Sequence, residues 1–96
     1  MHCNLTKNLD NLTEKELKAY LALGLAGEAG EVVDLEKKDF SYTNYMLDEQ
    51  HLKEELGDCL YYLTNIITNR GWTLSEVMQL NSEKIKNILA RKVTAE

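Results

Sequence analysis

Four carboxylates stand out by their spacing. Glu28 and Glu31 are three residues apart, and so are Glu55 and Asp58. On a helix, residues at i and i+3 share a face, with Cβ atoms about 5–6 Å apart. Each pair is embedded in an apolar stripe, with Leu25 and Val32 flanking the first and Leu56 and Leu60 the second. Acids interleaved with core residues repel one another and lose hydration unless cations neutralise them. Hard oxygen ligands in a helical bundle suit Mg²⁺, with Mn²⁺ as a substitute, rather than zinc. The same spacing also describes solvated charges on two amphipathic helices, so spacing alone leaves both readings open. His2 and His51 are far apart in sequence and form no ligand pair.

The elements that must position these acids are helices. Thr13 and Glu16 form a capping box, and Leu17, Leu21, Leu25, Val32 and Leu35 then recur at helical spacing. The pattern predicts a first helix from about Glu14 to Lys38. Gly24, Gly27 and Gly30 each cost this helix up to about 1 kcal/mol against alanine. Three such costs point to close helix contact, a bend, or backbone approach to a ligand. Asp39–Leu47 breaks the period as a connection. Asp48 is the expected N-cap of a second helix from about Glu49 to Arg70, which Gly71 stops. Its apolar stripe reads Leu52, Leu56, Cys59, Leu60, Leu63, Ile66 and Ile67. Thr73 and Glu76 form a second capping box and open a third helix to about Lys92, with Val77, Leu80, Ile85, Ile88 and Leu89 inward. If the first two helices pack antiparallel, the connection can bring the two acid pairs to one level.

Other side chains keep two readings. Tyr62 lies one turn after Asp58 on its face, for nucleotide contact or for core packing. Phe40, Tyr42 and Tyr45 in the connection read as a base pocket, hydrophobic cover or a dimer contact. Trp72 reads as a packing anchor, and Asp34 as an outer ligand or a lysine partner. Lys37 and Lys38 complement a helix C-terminus.

Composition narrows the class. The 96 residues contain no proline and 28% charged residues, which favours helices over a turn-rich sandwich and fits a single domain across 1–96. No apolar run is long enough for a membrane span, and nothing near Met1 resembles a secretory signal. Net charge is −5, which makes a nucleic-acid polymer a poor partner. The charge is uneven, with −7 between Glu28 and Asp58 and +2 over the rest. Cys3 and Cys59 lack CxxC spacing and favour a reducing, cytoplasmic setting with Cys59 as a buried thiol. So small a domain buries little surface by itself, and oligomerisation is expected.

Two blocks carry a resemblance. Leu23–Lys38 (LGLAGEAGEVVDLEKK) and His51–Leu63 (HLKEELGDCLYYL) resemble the signature helices of the MazG-like nucleotide pyrophosphohydrolases. These belong to the all-α NTP pyrophosphatase superfamily, with the dimeric dUTPases and dCTP pyrophosphatases. The family pattern is EExxE followed by ExxD, and the resemblance runs over roughly residues 17–84. Gly27 departs from it, standing where many members carry the first Glu. Asn81–Ile85 (NSEKI) matches the start of a C-terminal Asn/Asp-x-x-Lys-Leu segment, but the arginine-aromatic tail is replaced by Ala90–Lys92 (ARK). The segment before Thr13 leaves little room for the usual first helix, which helps form the base pocket.

The resemblance implies an antiparallel bundle of three main helices, completed by oligomerisation as a homodimer or homotetramer with a four-helix core. It implies that Glu28, Glu31, Glu55 and Asp58 ligate Mg²⁺, and that a nucleoside triphosphate is cleaved at its α-phosphorus to monophosphate and pyrophosphate. Glu31 or Glu28 would orient the attacking water. Asn81 and Lys84 become phosphate contacts, joined by Lys38, and Tyr62 a nucleotide contact. The implied setting is housecleaning of the nucleotide pool. A phosphoribosyl-ATP pyrophosphohydrolase-like enzyme is a rival within the same chemistry. A non-catalytic, metal-binding helical oligomerisation module is a rival outside it.

Overall fold

Three helices account for most of the described residues: α1 (Glu14–Ser41), α2 (Glu49–Asn69) and α3 (Leu74–Ala95). The computed structural model describes residues 11–95, with side chains described through Lys92. The fold is all-α, with no strand among the described residues. Cys3, His2 and the segment up to Asp10 lie outside them.

Local chemistry sets the helix ends. At the start of α1 the Thr13 N–H donates to Glu16 Oε1 at 2.9 Å, and the Glu16 N–H returns to Thr13 Oγ1 at 3.1 Å. Without glycine or proline in Asp39–Ser41, α1 continues past the expected Lys38. It stops where Tyr42 turns extended (φ −105°, ψ 121°) and its N–H donates to the Lys38 carbonyl. The connection is therefore shortened to Tyr42–Asp48. Asp48 caps α2, its Oδ1 accepting the His51 N–H at 3.1 Å.

Gly71 ends α2 in the left-handed region at φ +81°. Its N–H donates to the Thr68 carbonyl at 2.9 Å, and the Trp72 N–H to Ile67 at 3.1 Å, which is a Schellman closure. Glycine is the residue that reaches this φ without a Cβ clash. The Trp72 side chain is exposed rather than anchored in packing. The second capping box opens α3, with Thr73 N–H to Glu76 Oε1 at 2.7 Å and the reciprocal bond at 3.2 Å.

The chain divides after Ile66 into two compact units. In the first, α1 and α2 run antiparallel. Tyr20 packs on Tyr62, Gly24 lies under Tyr62, the Glu28 and Glu31 carboxylates lie within 4.8 Å of that of Glu55, and Leu35 and Lys38 share a cleft with His51. The seam follows a 3-4 alternation: Leu17, Leu21, Gly24, Glu28, Glu31, Leu35 and Lys38 on α1, and Leu52, Glu55, Cys59, Tyr62 and Ile66 on α2. Every one of these positions is buried or half-buried. This is the a/d spacing of an antiparallel coiled-coil contact, and three of its positions are glutamates.

Gly24 is the position where close approach requires glycine, since a Cβ there would collide with the Tyr62 ring. A Cβ at Gly27 or Gly30 would meet nothing within 4 Å. The stripe expected on α2 is corrected: Leu56, Leu60 and Leu63 are exposed. The packed face lies roughly a quarter turn away, at 100° per residue, and carries Glu55, Cys59, Tyr62 and Ile66. In the second unit, Leu80, Ile85, Ile88 and Leu89 of α3 are likewise exposed rather than inward, and Val77 is half-buried.

Candidate functional site

The seam positions of α1 and α2 bring carboxylates from both helices together. Glu28 and Glu55 are buried, at 5% and 3% exposure, and Glu31 is half-buried beside them. One oxygen from each of Glu28, Glu31 and Glu55 lies within 4.8 Å of the others. Leu21 and Leu35, one heptad to either side of Glu28 on α1, are buried as well, so the cluster lies within the unit's apolar core.

Electrostatics record the crowding. Burial, then hydrogen bonds to Glu55 and Glu31, then the charges of Asp58 and Glu55, push Glu28 up from 4.5 to about 7. The hydrogen bond that Glu31 shares with Glu55 holds Glu31 below its ordinary value. The proton that Glu28 retains relieves part of the repulsion. It does not satisfy the cluster, because Glu28 Oε1 and Glu55 Oε2 are buried without a hydrogen-bond partner. Buried unsatisfied acceptors are costly. Hard anionic oxygens converging from two helices, two of them orphaned, fit a small divalent cation such as Mg²⁺ or Mn²⁺. Glu28, Glu31 and Glu55 are the residues that would hold it. Asp58, the fourth expected ligand, is half-buried and outside this triangle, though close enough for its charge to raise Glu28.

Two clefts meet at the acids. The larger, of about 510 Å³, is lined by Leu12, Tyr20, Leu23, Gly24 and Tyr62 and ends at Glu28 and Glu31. Tyr62 is 2% exposed and packs edge-on against Tyr20 and Tyr61, with ring centroids at 6.2 and 5.4 Å. Burial first, and the Tyr20 hydrogen bond second, push its phenol up to about 12. Tyr62 is therefore a core residue that also walls the cleft. The smaller cleft, of about 340 Å³, is lined by Gly30, Glu31, Asp34, Lys38 and His51 among others. Lys38 is bound to Asp34 at 3.0 Å, which makes Asp34 a lysine partner. That contact raises the Lys38 ammonium.

Asn81 and Lys84 are exposed on α3, in the second unit. Phe40 sits exposed at the end of α1, while Tyr42 and Tyr45 pair with each other at 6.4 Å. None of these three lines either cleft beside the acids. Cys59 is half-buried on the seam, and burial followed by the charges of Glu28, Asp58 and Glu55 pushes its thiol up. Two residues were missed as site residues: Tyr20, and His51, whose Nε2 lies 3.3 Å from Glu55 Oε1. The i, i+4 spacing of His51 and Glu55 was the available signal.

The profile of the MazG nucleotide pyrophosphohydrolase domain matches residues 12–88. The Gene 37 protein of Mycobacterium phage L5 is 31% identical over 72 residues, which cover 72% of this chain. The chain spans 63% of the length of that relative. No solved structure matches.

Proposed function

The chain belongs to the MazG nucleotide pyrophosphohydrolase family, and on that premise we propose that it hydrolyses nucleoside triphosphates to nucleoside monophosphate and pyrophosphate. The observation that carries this reading is the buried triangle of Glu28, Glu31 and Glu55, with its two orphaned oxygens. These three acids hold Mg²⁺, or Mn²⁺ in its place, and Asp58 contributes from the edge of the cluster. The bound cation supplies charge neutralisation for the triphosphate oxygens at the site.

The chain's own groups do the rest. The cleft walled by Tyr20, Leu23 and Tyr62 offers the nucleoside an apolar surface that excludes water and orients the α-phosphorus toward the acids. A carboxylate oxygen of Glu31, or of Glu28, accepts a proton from the attacking water. One P–O bond forms to that water as the bond from the α-phosphorus to its bridging oxygen breaks, and pyrophosphate leaves in line. Lys38, beside the acids in the smaller cleft, and Asn81 and Lys84 on α3 are the proposed phosphate contacts. Housecleaning of the nucleotide pool in the cytoplasm is the setting we propose.

The test is a panel of nucleoside triphosphates with Mg²⁺, with monophosphate and pyrophosphate both quantified. Turnover to these two products supports the assignment, and Glu55→Gln abolishes it. Preferred turnover of phosphoribosyl-ATP would move the enzyme to that rival class. Cation binding without turnover of any triphosphate would make the chain a binding module.

A further inference from the structure

His51 lies outside the acid pattern, yet it meets one of the acids, Glu55. It sits one turn before Glu55 on α2, with Nε2 at 3.3 Å from Oε1 of that carboxylate. Surface pairs at this spacing join two solvated side chains and contribute little. Here the two ends differ. The Glu55 side chain is 4% exposed and the imidazole 50%. His51 also lines the smaller cleft, together with Glu31 and Lys38. The two oxygens of Glu55 are thereby distinguished: Oε1 meets the imidazole, and Oε2 is buried without a partner.

We propose that His51 is a positioning residue for the cation site. Its Nε2–H donates to Glu55 Oε1 and fixes the carboxylate torsion, so that Oε2 is presented to a divalent cation held with Glu28 and Glu31. The contact needs only a proton on Nε2, which the imidazolium and one neutral tautomer both carry, so it does not depend on the charge of the ring. Without the imidazole, Glu55 gains rotational freedom that cation binding must then remove. Outer partners of this kind are typically worth 10–100-fold in metal affinity. The inference rests on the cation site proposed above and adds to it a residue that the acid pattern does not contain.

The experiment measures Mn²⁺ binding to the metal-stripped full chain by calorimetry or electron paramagnetic resonance, without nucleotide. His51→Ala is expected to bind Mn²⁺ about 10-fold more weakly or worse, with helicity and unfolding midpoint near wild type. His51→Gln, whose Nε2 can stand where the imidazole Nε2 stands, is expected to restore most of the affinity. Raising Mg²⁺ should likewise recover the turnover of His51→Ala, because the loss lies in cation occupancy. Equal Mn²⁺ affinity in His51→Ala and wild type would overturn the role of His51, as would a His51→Gln variant no better than alanine. Pyrophosphate release by the wild type, measured separately, keeps the family chemistry standing in either case. A wild type that binds no Mn²⁺ would overturn the cation site and this inference with it.

Discussion

Glu28 holds its proton to about pH 7 when folded, against an ordinary value of 4.5, chiefly because it is buried. The unfolded chain therefore releases this proton first as pH rises. Stability from this group is fully present below about 4.5, falls between 4.5 and 7, and is flat above. Urea unfolding in a chelator at pH 5 and pH 7.5 should show the decline in wild type and a smaller one in Glu28→Gln. At pH 7.5, Glu28→Gln should be the more stable protein by about 1 kcal/mol or more, since one pKa unit is 1.36 kcal/mol. The same variant should lose on the order of 100-fold or more in turnover, about 2.7 kcal/mol of barrier. Opposite signs for stability and activity would mark an acid kept for function rather than for folding. That the acids were special was legible from their interleaving with leucines. Which of them converge was not, because Asp58 and Glu55 share a helix and differ only in the angle at which that helix meets its neighbour.

The three glycines of α1 look alike in sequence and behave differently in the helix pair. Gly24→Ala drives a methyl group into the Tyr62 ring, and overpacking of this kind costs about 1–3 kcal/mol. Gly30→Ala places its methyl in open space and should gain up to about 1 kcal/mol of helix propensity. Urea midpoints for the two variants are expected to move in opposite directions. Equal shifts would mean that α1 and α2 do not meet at Gly24. The ends of the elements were far more legible. Both capping boxes, the Asp48 cap and the Gly71 stop form where the sequence places them, because each involves partners three to five residues apart. The end of α1 was misplaced because nothing in Asp39–Ser41 opposes a helix.

At the scale of the whole molecule, the net charge of −5 resolves into an acidic middle within a mildly basic frame. Three of those central acids form the buried triangle. The described helices also expose apolar side chains: Leu60 at 58%, with Leu56 and Leu63 beside it on α2. A run of exposed leucines on one face is a surface suited to association, and the homodimer or homotetramer that the family resemblance implies would cover it. Light scattering is expected to give a dimer or tetramer mass for the wild type and a lower mass for Leu60→Glu. A monomeric wild type at tens of micromolar would rule out that use of the face. Among the described residues, no helix is long and apolar enough to cross a membrane.

The sequence by itself determined the helices, their caps and stops, and the pairing of acids three residues apart, since all of these depend on neighbours within one or two turns. The tertiary structure alone decided how α2 is rotated against α1. Apolar residues occupy more than one face of α2, so periodicity permits several rotations. The rotation adopted seats Tyr62 over Gly24 and carries Glu55 inward to Glu28 and Glu31, while Leu56, Leu60 and Leu63 face outward. Packing between distant segments selects that rotation, and it brings three of the four paired acids into one cluster.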